Sequence, residues 1–447
     1  MTEKERCIEL ITRHRTEILA AERYIWQHPE TGFREWNTAA YLETAFETAG
    51  YSLRRVGDIP GFCADIDTGR PGPKVLILAE LDALCAPNHP QAVNGCAHAC
   101  GHHAQCAALL GVALALREPG ALDGLSGSVR LMAVPAEEMI EIEYRESLRQ
   151  AGKIRYLGGK AELLYRGFMD GVDLAYLFHT GTSQDWSFSL GSGSNGCITK
   201  TITYHGIPAH AGGQPHLGVN ALYAAVGGLN SVNALRETFR DEDHIRIHPI
   251  MTDGGAAVNI IPDRAVLSSY VRGASMESIA DASHKFNRAI AAGALAIGAT
   301  VHVSDRPAFA PLMNDRTLSE VGLRCMRALV GDSEVNPHEG WSTGSTDMGD
   351  LSCLMPVIHP NVSGACGVCH GDNFAITDPE KACVISAECQ YLLLCELLRD
   401  DAAEAKRVLA DFRPRYASKA EYFAAIDCYL AERELVTYDG HTAKIQF

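Results

Sequence analysis

Val75-Leu76-Ile77-Leu78-Ala79-Glu80-Leu81-Asp82 is an apolar run that ends on two carboxylates. A strand without polar alternation is buried on both faces, which points to a parallel sheet covered by helices. The segments on either side keep the same rhythm. Strand candidates Tyr51 to Val56 and Phe62 to Ile66 precede the run, and a helix from about His103 to Leu116 follows it. Strand Val129 to Val134, a helix around Lys160 to Arg166 and strand Leu174 to Phe178 come next. Alternation of this kind predicts an α/β fold in which functional groups gather where strands end. Glu80, Asp82, Glu137, Glu138 and His179 all stand at such ends.

After Gly191-Ser192-Gly193-Ser194 the pattern changes. A strand (Ile198 to Tyr204), a helix (Val219 to Leu235), two strands (Ile245 to Met251 and Arg264 to Tyr270), a helix (Met276 to Ala296) and a strand (Thr300 to Val303) predict a compact α+β unit. That order is close to a ferredoxin-like plan. The expected organisation is an α/β domain with a mixed, largely parallel sheet, carried by residues 1–194 and 309–447. The smaller α+β domain, residues 195–308, interrupts it. Residues 403–447 are expected to form a helical tail, with a helix from Lys419 to Glu432.

At 447 residues the chain exceeds what one core supports, so two domains are the natural expectation. The net charge of −16 repels nucleic acid and anionic membranes, which excludes both as partners. No run reaches the roughly 18 apolar residues of a membrane span. The start, Met1 to Glu30, reads as one amphipathic helix and not as a signal peptide. Fifteen cysteines, odd in number and mostly set in apolar stretches, fit reduced thiols in a cytoplasmic protein.

Cys100 stands apart from those core thiols. With His102 it lies on a turn at a helix start, where the helix dipole favours a thiolate and both side chains can converge on one cation. Adjacent residues on a strand point to opposite faces, so Glu137 and Glu138 can share a centre only once the strand has ended. One of them can then bind a cation while the other moves a proton. His179 ends an apolar strand and is a further candidate ligand. His370 is another, with His359 and Cys366 as local rivals. Glu80 and Asp82 share a face; one can coordinate while the other orients a histidine, or both can be ordinary polar strand ends.

Gln27-His28-Pro29-Glu30, Ala79-Glu80-Leu81-Asp82-Ala83-Leu84, His98-Ala99-Cys100-Gly101-His102, Pro135-Ala136-Glu137-Glu138, Ala209-His210-Ala211 with Pro215-His216-Leu217-Gly218, Asn259-Ile260-Ile261-Pro262 and Ser345-Thr346-Asp347 occur in that order. Together they resemble the metal-dependent aminoacylase and carboxypeptidase family. Within it the chain resembles the amidohydrolase branch, which includes aminobenzoyl-glutamate hydrolases and N-acyl-amino-acid hydrolases. The resemblance spans residues from about 20 to 400.

It implies that Cys100, His102, Glu138, His179 and His370 hold two divalent metal ions, zinc or manganese, and that Glu137 is the general base. It implies that His210 reaches the active site of the other subunit in a homodimer and stabilises the oxyanion, and that Asn259 and Arg272 grip a substrate carboxylate. The first domain would then be catalytic, and the insert a lid and dimerisation domain. The implied reaction is hydrolysis of an N-acyl or N-aroyl amino acid, with small unusual dipeptides as the alternative substrate. A non-catalytic binding module is the third reading; a proton-carrying Glu137 beside the ligands argues against it. Three departures bear on substrate: His103 stands where relatives place aspartate or asparagine, Glu80 stands where they place aspartate, and residues 139–160 replace a glycine-rich stretch.

Overall fold

A computed structural model describes residues 2–447 of the chain, which divide into two compact units. The first comprises the residues up to 193, with 313–341 and 350–419. Its main sheet runs Leu53–Arg55, Phe62–Asp67, Ser128–Val134, Lys74–Glu80, Leu174–Tyr176 and Val357–Ile358. The last four strands are parallel and the first two are antiparallel additions at one edge. Every residue of Lys74–Glu80 beyond Lys74 is buried, as its unbroken apolar run requires.

Helix His102–Ala115 is buried nearly all round, because its alanines let neighbours approach closely. A Cβ at Gly111 would lie 2.6 Å from Ile18 Cδ1, on the helix Arg15–Trp26. The start of the chain is two helices and not one: Glu3–Thr12 and Arg15–Trp26 break at Arg13-His14, where the His14 imidazole meets Glu118 at 3.0 Å.

The second unit comprises residues 194–312, 342–349 and 420–447. Strands Ile250–Asp253, Arg264–Gly273, Gly196–His205 and Thr300–Phe309 lie side by side and antiparallel, with helices Ala221–Asn233 and Met276–Ile297 packed on them. This strand order with two crossover helices is the ferredoxin-like plan.

The expected helical tail is corrected. The long helix ends at Asp411 and a second spans only Lys419–Asp427; strands Ala431–Asp439 and Thr442–Ile445 then form a hairpin that pairs with Thr300–Phe309. Residues 420–447 thus belong to the second unit and not to a continuation of the first. Asp439-Gly440 is the hairpin signal, with Gly440 at φ +58°, and Leu435 and Val436 are fully buried. The charged stretch Glu432-Arg433-Glu434 hid that strand. Its side chains instead reach Ser304 and Asp305 on the neighbouring strand.

One buried acid gives the first unit a pH-dependent weakness. Glu388, in helix Ser386–Asp411, is buried, with the Thr12 hydroxyl donating to it at 3.5 Å. Burial, reinforced by Glu380, pushes its carboxyl up to about 7 from an ordinary 4.5. The folded chain therefore holds this proton more tightly than the unfolded chain does. The associated stability is complete below about pH 4.5 and is lost as pH rises through about 7. Glu388→Gln removes this dependence and should stabilise the protein at pH 8 relative to pH 5 by up to about 3 kcal/mol. Melting curves of both proteins at the two pH values check this, and parallel pH dependence in the two would refute it.

Candidate metal centre

The parallel strands of the first unit deliver their C-terminal ends to one side, where five polypeptide segments converge. The turn Cys100-Gly101-His102 depends on glycine: Gly101 has φ +85°, and a Cβ there would lie 2.6 Å from Thr180 Cβ. The Thr180 hydroxyl donates to the Gly101 carbonyl at 3.1 Å. His102 opens the helix, and its Nδ1 donates to the Asp82 carbonyl (2.9 Å) and to Asp82 Oδ1 (3.1 Å). The other oxygen of Asp82 accepts the Glu138 backbone N–H at 2.8 Å. Asp82 is thus the member of the Glu80/Asp82 pair that orients a histidine.

The Glu137-Glu138 turn is gripped from two sides. Ala136 takes a left-handed φ of +58°, and its N–H donates to buried Glu35 at 2.8 Å. Residues 139–160 supply the second grip. They form the helix Ile142–Gln150, which buries Arg145 so that its guanidinium donates to the carbonyls of Leu157 (2.6 Å), Ala136 (3.2 Å) and Glu138. The segment that departs from the family pattern is therefore built into the support of the acidic turn.

Candidate ligand atoms lie close together. Cys100, His102 and His179 form one group whose donor atoms are all within 4.8 Å of one another; His102, Glu137 and Glu138 form a second, and Cys100, Cys369 and His370 a third. Cys100 Sγ is 3.4 Å from His179 Nε2, and His370 Nε2 is 3.2 Å from Glu138 Oε1. The structure thus brings together Cys100, His102, Glu138, His179 and His370, with Glu137 beside them. His359 instead packs against the His179 ring, with centroids 5.6 Å apart and planes inclined by 40°, where burial and His179 push it down to about 3. Neither His359 nor Cys366 joins a converging group among the described residues.

These residues fit divalent cations on three structural grounds. His102 and His179 each donate Nδ1–H to a carbonyl oxygen, at 2.9 and 2.8 Å, so Nε2 of each ring is the atom left to face the cluster and to bind a cation once it carries no proton. His102 Nε2 and Glu138 Oε1 are buried without a hydrogen-bonding partner, although Glu80 Oε2 and His370 Nε2 lie 3.2 Å away in poor alignment. Glu80, Asp82, Glu137 and Glu138 are all buried, an excess of negative charge that Lys160 alone does not offset.

The electrostatics follow from that excess. Burial lowers the His102 imidazole, but Glu80, Asp82 and Glu138 outweigh it and hold it well above the ordinary histidine range. Burial raises Glu138, yet His370 and His102 bring it down to about 2. His370 in turn is lifted to about 10 by Cys369 and Glu138. A cation takes the place of such a proton when it binds.

The remaining predicted residues belong to the second unit. His210 is exposed, and its Nδ1 accepts the N–H groups of Gly213 (2.9 Å) and Gly212 (3.2 Å), which leaves Nε2–H as a donor. Asn259 adjoins it: the Asn259 carbonyl accepts the Ala211 N–H at 3.0 Å. Arg272 is not brought to them. It sits at the far end of strand Arg264–Gly273, opposite Cys197, with its guanidinium over the Tyr270 ring. At about 3.3 Å per residue, the strand from Arg264 to Arg272 spans roughly 26 Å, and Asn259 precedes its other end in the chain.

Three residues of the centre escaped the sequence reading: Lys160, Arg145 and Cys369. Lys160 is fully buried and its Nζ donates to Glu80 at 2.6 Å. The available signal was Gly158-Gly159 before it, since a Cβ at Gly159 would lie 1.6 Å from the Pro135 carbonyl oxygen. Arg145 lies in the stretch 139–160, which the sequence marks only as a replacement for a glycine-rich segment, and Cys369 is one of fifteen mostly buried cysteines. His103, where the family pattern is broken, faces Trp26 and Glu22 and joins none of the converging groups.

Comparison with known proteins adds to this geometry. The model of peptidase family M20/M25/M40 matches residues 64–395. The Xaa-Arg dipeptidase of Mus musculus is 30% identical over 377 residues, 80% of this chain and 79% of that one. One of the p-aminobenzoyl-glutamate hydrolase polypeptides of Escherichia coli is 30% identical over 332 residues, 70% of this chain and 63% of that one. The crystal structure of the Bacillus subtilis YXEP protein, a dinuclear metal binding peptidase, superimposes with a TM-score of 0.63 at 21% identity, covering 86% of this chain and 98% of that one.

Proposed function

The chain belongs to peptidase family M20/M25/M40, and from that premise we propose that it is a metal-dependent hydrolase cleaving the amide bond of an N-acyl or N-aroyl amino acid. The observation that carries this reading is the meeting of Cys100, His102 and His179 with Glu137 and Glu138 at His102. Two divalent cations, zinc or manganese, held by Cys100, His102, Glu138, His179 and His370 would acidify a water and polarise the amide carbonyl. Glu137 takes the proton of the attacking water and returns it to the departing nitrogen. Asp82 keeps His102 in the tautomer that presents Nε2 inward.

His210 offers its Nε2–H to the oxyanion that forms on the amide oxygen. In this proposal His210 and Asn259 come from a second copy of the chain, while Arg272 holds the substrate carboxylate from the first. The distance between Asn259 and Arg272 within one copy favours that division. The apolar side chains Ile207, Leu217, Tyr223, Val258 and Ile260, all exposed beside them in the chain, suit a homodimer face. No described helix is long and apolar enough to cross a membrane, and all fifteen cysteines are free thiols, which supports a cytoplasmic setting.

A dipeptidase is the second reading. Similarity to the mouse Xaa-Arg dipeptidase covers more of the chain than similarity to the aminobenzoyl-glutamate hydrolase polypeptide. The net charge of −16 also attracts a cationic substrate and repels a glutamate conjugate. The metal-loaded protein, incubated with aminobenzoyl-glutamate, N-acetyl amino acids and dipeptides ending in arginine or lysine, decides between the two by kcat/KM. If every member of that panel stayed intact, both readings would fail.

A further inference from the structure

We propose that Cys369 is a metal-binding thiolate in its own right, so that this chain presents two sulfurs to its cations and prefers zinc to manganese. The inference rests on the metal-dependent reading above and deepens it. Cys369 Sγ lies 3.8 Å from Cys100 Sγ, and the donor atoms of Cys100, Cys369 and His370 all fall within 4.8 Å of one another. The loop has little freedom to carry Cys369 elsewhere. The next residue, His370, is held at φ +66° with its N–H donating to the Ala99 carbonyl at 2.8 Å, one residue from Cys100. Asn373 closes the loop by accepting the Val368 N–H at 3.0 Å, and Gly371 donates to the Val368 carbonyl at 2.8 Å.

Cys369 also borders open space. It lines a cleft of about 320 Å³ together with His179, Thr182, Trp186 and Ser189. A second close cysteine pair, Cys7 and Cys395 at 3.9 Å, is buried in the apolar core among helices and has no imidazole in its group. Two thiolates converging with imidazoles are a soft donor set. Zinc accepts such a set, whereas manganese favours carboxylate, carbonyl and water.

The test uses the full reduced chain loaded with Co2+, read by near-ultraviolet thiolate-to-cobalt absorbance per bound cobalt. Wild type, Cys100→Ser and Cys369→Ser are compared, with zinc-against-manganese competition by dialysis and metal analysis. Each single variant is expected to lose about half of the sulfur band. Cys369→Ser should also shift the zinc-against-manganese competition toward manganese, because one of two soft donors is gone. Cys369 is exposed, so folding is not at risk, and equal melting of the cobalt-free proteins verifies this. A Cys369→Ser band equal to that of wild type would overturn the two-sulfur assignment and leave the hydrolase reading standing. A wild-type chain that binds no cobalt would overturn both.

Discussion

Glu137→Ala is expected to retain its metal and its fold while kcat falls by about 10²- to 10⁴-fold, a loss of roughly 3–5 kcal/mol of transition-state stabilisation. The reason is positional. Glu137 and Glu138 are adjacent, buried, and both within reach of His102. Glu138 also has a second imidazole, His370, at 3.2 Å, and its backbone N–H is tied to Asp82. Those ties fit Glu138 to coordination, and the proposed mechanism gives proton transfer to Glu137. Three outcomes separate the readings. Retained metal with lost turnover supports a base; a fall in metal content of the same variant would make Glu137 a ligand; full activity would remove it from the chemistry. Glu137→Gln keeps the shape of the side chain and removes its basicity, so it should be as inactive as the alanine variant. If Gln restored turnover, the role of Glu137 would be packing and not proton transfer.

The parts of this centre legible in the sequence are those fixed by local chemistry. Val75 to Glu80 declares a buried parallel strand because no polar residue interrupts it, and the glycine of Cys100-Gly101-His102 marks a turn before a helix. Contacts between distant segments were legible only through the resemblance. Nothing near His370 distinguishes it from His359; what does so is the loop conformation that brings its backbone to Ala99. Lys160 and Glu80 are 80 positions apart, and neither is unusual until the two are seen buried together. The C-terminal hairpin was missed for the opposite reason. The expected helix from Lys419 runs into its first residues, but a strand can carry charges along its length when neighbouring side chains pair with them, as Asp305 does with Arg433.

Lys160→Met should be the most damaging single change to stability, costing about 3–5 kcal/mol in the metal-free protein, because it leaves a buried carboxylate without its cation. Lys160 and Glu80 are both fully enclosed, and Glu80 is further held by Gln105, whose amide donates at 2.9 Å. Burial alone would raise the Glu80 carboxyl; Lys160, with His102 and His179, reverses that and holds it far below the ordinary carboxylate range. A depressed acid contributes its stability above its unfolded value, near 4.5, and loses it as pH falls. Without Lys160 that contribution shrinks, so the deficit of the variant should be largest near pH 8 and smallest near pH 5, where Glu80 can take up a proton instead.

Two further measurements isolate the pair. Adding Glu80→Gln to Lys160→Met should recover part of the loss, since a neutral amide needs no buried counter-charge, with a coupling of about 0.5–3 kcal/mol in the double-mutant cycle. Metal loading should narrow the gap between Lys160→Met and wild type, because Glu80 Oε2 lies 3.2 Å from His102 Nε2 and a nearby cation takes over part of the work of the lysine. Additive losses in the cycle, or a deficit unchanged by pH and by metal, would show that Lys160 matters only for the space its side chain fills.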